Sequence, residues 1–192
     1  ASSDNDFDAV ADQTVSATTT DDDVAGFTVA QSGGSTTVAE TGTTDTFTIV
    51  LNAQPASDVV LTITSSDTGE ATVNSPLTFT NANWNTPQTV TVTGVDDNII
   101  DGTITSTITV AVNDGSSDNN FDPVADQTVS ATTTDNDLAG FTVVESGGST
   151  TVAETGTTDT FTVVLTAQPV SDVVLTITSS DTGEATVNSP LT

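Results

Sequence analysis

Two acidic triplets, Asp21-Asp22-Asp23 and Asp135-Asn136-Asp137, each follow three threonines and come shortly before an Ala-Gly-Phe sequence. A second acidic group, Asp96-Asp97 with Asp101 four residues on, lies between them. The chain has 27 Asp and Glu and no Lys, Arg or His, a formal charge of −27. No side-chain cation is therefore present to neutralise adjacent carboxylates, which sit well inside the ~10 Å screening length of 0.1 M salt. The chemistry open to such groups is coordination of a hard divalent cation. Ca²⁺, which takes six to eight oxygens at about 2.3–2.6 Å in forgiving geometry, suits them better than the strictly octahedral Mg²⁺. A solvated acidic surface is the competing reading. It is the better one for the spread acids Asp114, Asp118, Asp122 and Asp126, although their Asn- and Ser-rich loop leaves room for a weaker ion site.

The same composition narrows the function classes. Phosphate binding relies on Lys and Arg, so nucleic acid is not an expected partner, and anionic membrane surfaces are disfavoured for the same reason. No apolar run approaches the ~18 residues of a membrane span, so no membrane insertion is expected. With no His, Cys, Lys or Tyr, most general bases and nucleophiles are missing, and an enzyme is not expected. Zero Cys excludes disulfides, and zero Lys excludes Lys–Asn isopeptide cross-links, which leaves a metal as the available cross-link. Disorder is the bland reading of so acidic a chain, but the apolar residues alternate too regularly for it.

Those acids are embedded in a repeat of 114 residues. Residues 25–78 return as 139–192 with changes only at Ala30/Val144, Gln31/Glu145, Ile49/Val163, Asn52/Thr166 and Ala56/Val170. Phe7 to Val15 returns as Phe121 to Val129 with a single change, Ala9/Pro123. The expected organisation is the C-terminal part of one repeat (1–24), a complete repeat (25–138) and the N-terminal part of a following one (139–192). The acidic triplets then mark the junctions.

Within one repeat, strands are expected wherever apolar residues alternate with Thr. Phe47, Ile49 and Leu51 share one face, and so do Val59, Leu61 and Ile63. Gln88–Thr93, Thr103–Asn113 and Gln127–Thr134 alternate in the same way, the last with Val129 and Ala131 inward. Phe27–Val29, Glu70–Val73 and Leu77–Thr80 are shorter strand segments, and Thr36–Glu40 is either a second short strand or a bulged continuation of the first. Gly33-Gly34, Pro55 and Asn74-Ser75-Pro76 break them. Val and Thr suit a pleated, half-buried surface, and seven or eight short strands without helical periodicity predict an all-β, immunoglobulin-like antiparallel β-sandwich.

Three stretches in this order resemble the Calx-beta family: Thr37-Val38-Ala39-Glu40-Thr41-Gly42 leading into Thr46–Leu51; Val95-Asp96-Asp97 followed by Asp101; and the closing acidic triplet. Leu77-Thr78-Phe79-Thr80, with Asn83-Trp84-Asn85-Thr86-Pro87 leading into Gln88–Val92, is similar to repeats of giant bacterial surface adhesins. The resemblance implies a sandwich that binds Ca²⁺ at the end joining the next domain. The ligands it implies are Glu40, Asp67, Asp96, Asp97, Asp101, Asp135 and Asp137, with Asp21, Asp22 and Asp23 from the preceding repeat and Glu154 and Asp181 from the following one. Two positions depart from the family pattern: Asp101 stands where Glu is common, and Asn136 replaces the middle acid of its triplet.

The functional expectation is a structural segment of a secreted bacterial surface protein, an adhesin stalk or extracellular fibre: a rod or filament of identical neighbouring repeats stiffened by Ca²⁺, with any contact to other cells or surfaces made by domains outside this sequence. A module that recognises glycan or ice through Thr-rich strand faces is the alternative. Thr is an ordinary exposed strand residue, however, and a period of 114 supplies no flat short-period array. Trp84 is expected as a partly buried residue at the sandwich edge.

Overall fold

A computed structural model describes residues 5–7 and 9–192. Residues 1–4 and 8 of the expected 1–24 segment lie outside them. Eleven strands are formed among the described residues: β1 (Phe27–Gln31), β2 (Thr36–Ala39), β3 (Thr44–Leu51), β4 (Val59–Ser65), β5 (Ala71–Val73), β6 (Leu77–Phe79), β7 (Gln88–Gly94), β8 (Ile104–Val112), β9 (Gln127–Thr134), β10 (Phe141–Glu145) and β11 (Phe161–Leu165). Among the described residues the only helical pieces are four single 3₁₀ turns. The fold is an all-β, immunoglobulin-like sandwich.

One sheet runs β1-β3-β7-β5 and the other β2-β9-β8-β4-β6. Pairing is antiparallel throughout both sheets except at one edge, where β2 runs parallel to β9 with Thr36 opposite Ala131 and Ala39 opposite Thr134. The chain turns sharply after β1 and crosses to the other sheet, so Thr36–Ala39 is a separate strand and not a bulged continuation of β1.

Period-two alternation places Phe47, Ile49 and Leu51 of β3, Val59, Leu61 and Ile63 of β4, and Val90 and Val92 of β7 in a single core. Phe79 and Phe121 are also fully enclosed there. Side chains of this size each contribute roughly 1.5–3 kcal/mol when taken out of water. Trp84 is half-buried and packs against the core, as a sandwich-edge residue does.

The loop before β9 departs from expectation. Asp118, which reads as a solvated surface acid, is buried. Its Oδ2 accepts the backbone N–H of Ala56 (2.7 Å) and Ser57 (3.0 Å), and its Oδ1 that of Asn120 (3.0 Å). These donors hold its pKa below the usual carboxylate range, the Asn120 and Ser57 N–H groups most strongly. Asp118 thus fastens the turn after β3 to a loop more than sixty positions along the chain.

Residues 139–192 correspond to residues 25–78, and β10 pairs with β11 in the register of β1 with β3: Phe141 faces Leu165 as Phe27 faces Leu51. This segment contains no counterparts of β7 to β9. Phe141 is exposed, whereas its counterpart Phe27 is enclosed.

Candidate metal centre

Four pieces of chain converge at one pole of the sandwich: the end of β2, the turn entering β5, the β7–β8 loop and the end of β9. The parallel pairing of β2 with β9 continues one residue further, where the Glu40 N–H donates to the Thr134 carbonyl (3.2 Å). That hydrogen bond brings Glu40 beside the start of the acidic triplet. Gly94 ends β7 so close to β2 that a Cβ there would stand 2.1 Å from the Ala39 carbonyl oxygen. Only glycine permits this approach, and it delivers Val95, Asp96 and Asp97 next to Glu40. The Val95 N–H donates to the Glu70 carbonyl (2.9 Å), and the Thr133 hydroxyl donates to the same oxygen (3.2 Å). Glu70 is fixed by its backbone, so its side chain is directed into the pole.

Two carboxylate groups result. One oxygen from each of Glu40, Asp135 and Asp137 lies within 4.8 Å of the others, and the same holds for Glu40, Glu70 and Asp101. Glu40 belongs to both. The loop is tied to the triplet by the Gly102 N–H, which donates to Asp135 Oδ2 (2.8 Å), and by Asn136 Nδ2, which donates to Asp96 Oδ1 (2.8 Å). Gly102 has φ +78°, a left-handed conformation that favours glycine. The Asn136 N–H donates to Glu40 Oε2 (3.0 Å), and the Asp137 N–H donates to Asp135 Oδ1 (2.6 Å). Asn136, the departure from an acidic triplet, contributes through its Nδ2 a donor that an aspartate side chain lacks.

The electrostatics are one-sided. Burial raises the Glu70 pKa to about 7, reinforced by the charges of Asp101, Glu40, Asp67 and Asp97. Burial likewise raises Glu40 and Asp137, with further repulsion from Asp135 and its neighbours. Asp135 is held low by the N–H groups of Asp137 and Gly102. Glu70 Oε2 and Asp137 Oδ2 are buried with no hydrogen-bond partner among the described residues. A buried carboxylate oxygen left unpaired carries a heavy desolvation cost. Five acids converging on two adjacent sets, with unpaired oxygens among them, fit a hard, oxygen-seeking divalent cation.

Of the residues expected at ion sites, Glu40, Asp101, Asp135 and Asp137 are brought together. Asp96 and Asp97 line the same loop, but their carboxylates are engaged by Asn136 and by the Ile99 N–H (2.7 Å). Asp67 stays exposed and caps its own turn through the Gly69 N–H (3.0 Å). Asp21, Asp22 and Asp23 are exposed ahead of β1, at the opposite pole, and Glu154 and Asp181 are exposed among residues 139–192. None of these five joins the two groups. Glu70 is the residue that the expected ligand set omits. The available signal is its position, an acid wedged between Gly69 and Ala71 where an apolar strand begins.

No family model and no curated protein matches the chain. Solved structures resemble it over part of its length. The apo form of the Calx CBD1 domain is similar at 13% identity, over 58% of this chain and 98% of that one, with a TM-score of 0.41. CBD12 from CALX1.2 is similar at 13% identity, over 61% of this chain and 48% of that one, with a TM-score of 0.38. SSP-19, an MSP-domain-like protein of Caenorhabditis elegans, is similar at 18% identity over 53% of this chain and 92% of that one, with a TM-score of 0.35. Among the described residues no helix is long and apolar enough to cross a membrane.

Proposed function

We propose that this chain is a structural, non-catalytic repeat segment of a secreted bacterial surface protein, in which Ca²⁺ stiffens a rod of β-sandwich repeats. Glu40, Glu70, Asp101, Asp135 and Asp137 would hold the ion, with Asp96 and Asp97 shaping the loop around it. The observation that carries the reading is Glu70: one of its carboxylate oxygens lies within 4.8 Å of oxygens of Glu40 and Asp101, and its Oε2 is buried with no hydrogen-bond partner among the described residues. Without a cation these carboxylates repel one another; with one, β2, β5, the β7–β8 loop and β9 are pinned at a single point. The pole lies where the chain leaves the sandwich, with only Leu138, Ala139 and Gly140 between Asp137 and β10. An ion there would fix the short connection, and neighbouring repeats are the partners the rod needs. The lack of Lys and Arg, which leaves trypsin-like proteases nothing to cut, supports a place outside the cell.

Small-angle scattering and thermal melting in Ca²⁺ and in EGTA test this reading. Chelation is expected to lower the melting temperature and to shorten or broaden the distribution of interatomic distances. Unchanged values of both would overturn it.

A further inference from the structure

The β7–β8 loop also touches the following repeat. Beyond Asp97 it extends as a strap, Asn98-Ile99-Ile100, and Ile99 makes a parallel bridge with Gln168. The Gln168 N–H donates to the Asn98 carbonyl, and the Ile100 N–H donates to the Gln168 carbonyl at 3.4 Å. The Ile100 side chain lines an apolar pocket with Ala139, Ala167 and Pro169, among others.

The surface it rests on occurs twice. Gln168 is the counterpart of Gln54, and Ala139, Ala167 and Pro169 are the counterparts of Ala25, Ala53 and Pro55. Backbone geometry matches as well: the Asn52 N–H donates to the Gly26 carbonyl at 2.9 Å, and the Thr166 N–H donates to the Gly140 carbonyl at 2.9 Å. On the complete sandwich, Ala25, Ala53 and Pro55 line an open groove closed on one side by Phe121 and Val124. Asp21 and Asp23 stand at its rim. At the other junction the corresponding Asp135 is bound to the strap's own loop through Gly102. The groove therefore presents both things the strap meets elsewhere, the Gln-Pro turn and the preceding triplet.

We propose that strap and turn are a matched docking pair, and that the groove beside Gln54 takes the Asn98–Ile100 strap of another copy of the repeat. The contact is head to tail, so the same pair can recur at every junction without closing on itself. Backbone hydrogen bonds and one half-buried isoleucine, Ile100, make it, which suits a surface where every charged side chain carries the same sign. This inference rests on the reading of the chain as a run of repeats, but not on the ion.

Hydrogen exchange at single amides tests it. The 192-residue chain is compared with one in which a copy of residues 25–114 precedes Ala1, which restores the 114-residue spacing. The Gln54 amide is expected to exchange about tenfold more slowly or better in the extended chain. Ile100→Asp in the leading copy should return it to its original rate while the Val90 and Ile108 amides stay protected. In the 192-residue chain alone, Ile100→Asp should speed exchange at Gln168. Equal Gln54 rates in the two chains, Gln54 protection that survives Ile100→Asp, or an unmoved Gln168 would each overturn the docking pair. Running the series in Ca²⁺ and in EGTA separates the two readings. Protection at Gln54 with no effect of EGTA on melting refutes the ion alone, and a Ca²⁺-raised melting temperature with Gln54 unprotected refutes the docking alone.

Discussion

Glu40 and Glu70 reach the same point from opposite sheets, each buried, with carboxylate oxygens no more than 4.8 Å apart. Glu40 follows β2 in the five-stranded sheet and Glu70 precedes β5 in the four-stranded sheet. No side chain can form an ion pair with either, because the sequence has no Lys, Arg or His. Glu70→Gln removes one charge and supplies an amide donor in its place. It is expected to raise the melting temperature of the chelator-treated chain. It should also cut the stabilisation by saturating Ca²⁺, about 2.7 kcal/mol at a hundredfold excess over Kd, to less than about half of that. Paired melts of wild type and variant, with and without Ca²⁺, check both effects.

The pH dependence of the metal-free chain follows from the same pair. Glu70 keeps its proton up to about pH 7 in the fold, whereas an unfolded Glu loses it near ~4.3. Between those values the folded chain binds the extra proton, so stability falls as pH rises through the window. Glu40 and Asp137 shift in the same direction. Asp45, Asp118 and Asp135 shift the other way: their contribution is present above the unfolded value of ~3.9 and is lost as pH drops below it. Melting temperature in EGTA should therefore peak near pH 4–5 and decline toward neutrality, and saturating Ca²⁺ should abolish that decline. A melting temperature in EGTA that climbs between pH 5 and 7 would contradict the assignment.

Gly94→Ala separates positioning from ligation. The added methyl meets the Ala39 backbone carbonyl at 2.1 Å, and backbone cannot swing aside as a side chain can. A loss of about 3 kcal/mol is expected, at the upper end for overpacking, together with weaker Ca²⁺ binding, because Glu40 is the next residue along. Denaturant melts and a Ca²⁺ titration of the variant measure the two losses.

Asp118→Ala leaves the N–H groups of Ala56 and Ser57 without their acceptor. The melting temperature should fall while the rise caused by Ca²⁺ stays the same, since Asp118 belongs to neither carboxylate group. Phe47→Ala acts on the core instead and should cost about 3–5 kcal/mol, again with the Ca²⁺ response preserved as long as the variant folds.

What was legible in the sequence was local. The alternation of Phe47, Ile49 and Leu51 announces a strand with one face in the core because side chains alternate with period two, and the structure buries those three residues. The acids at the end of β9 and in the β7–β8 loop are visible as clusters because their members are near neighbours in the chain. Glu70 was not visible as their partner. Its burial depends on contacts with Val95 and Thr133, which no pattern around residue 70 encodes, and Asp67 in the same turn offers a more conspicuous carboxylate. Asp118 reads as a surface acid for the same reason: the donors at Ala56 and Ser57 that bury it are far away in sequence. The parallel pairing of β2 with β9 joins four residues to a strand some ninety positions later, and hydrophobic alternation carries no register over such a separation.

The proposed function requires the pole formed by Glu40, Glu70, Asp101, Asp135 and Asp137 to bind Ca²⁺. Titration calorimetry of the chelator-stripped 192-residue chain with Ca²⁺, beside the Glu70→Gln variant, is its most direct test. Saturable binding to the wild type, weakened at least about tenfold by the loss of one charged ligand (~1.4 kcal/mol), is the predicted result. No saturable heat with the wild type, together with a melting temperature that Ca²⁺ leaves unmoved, would contradict it.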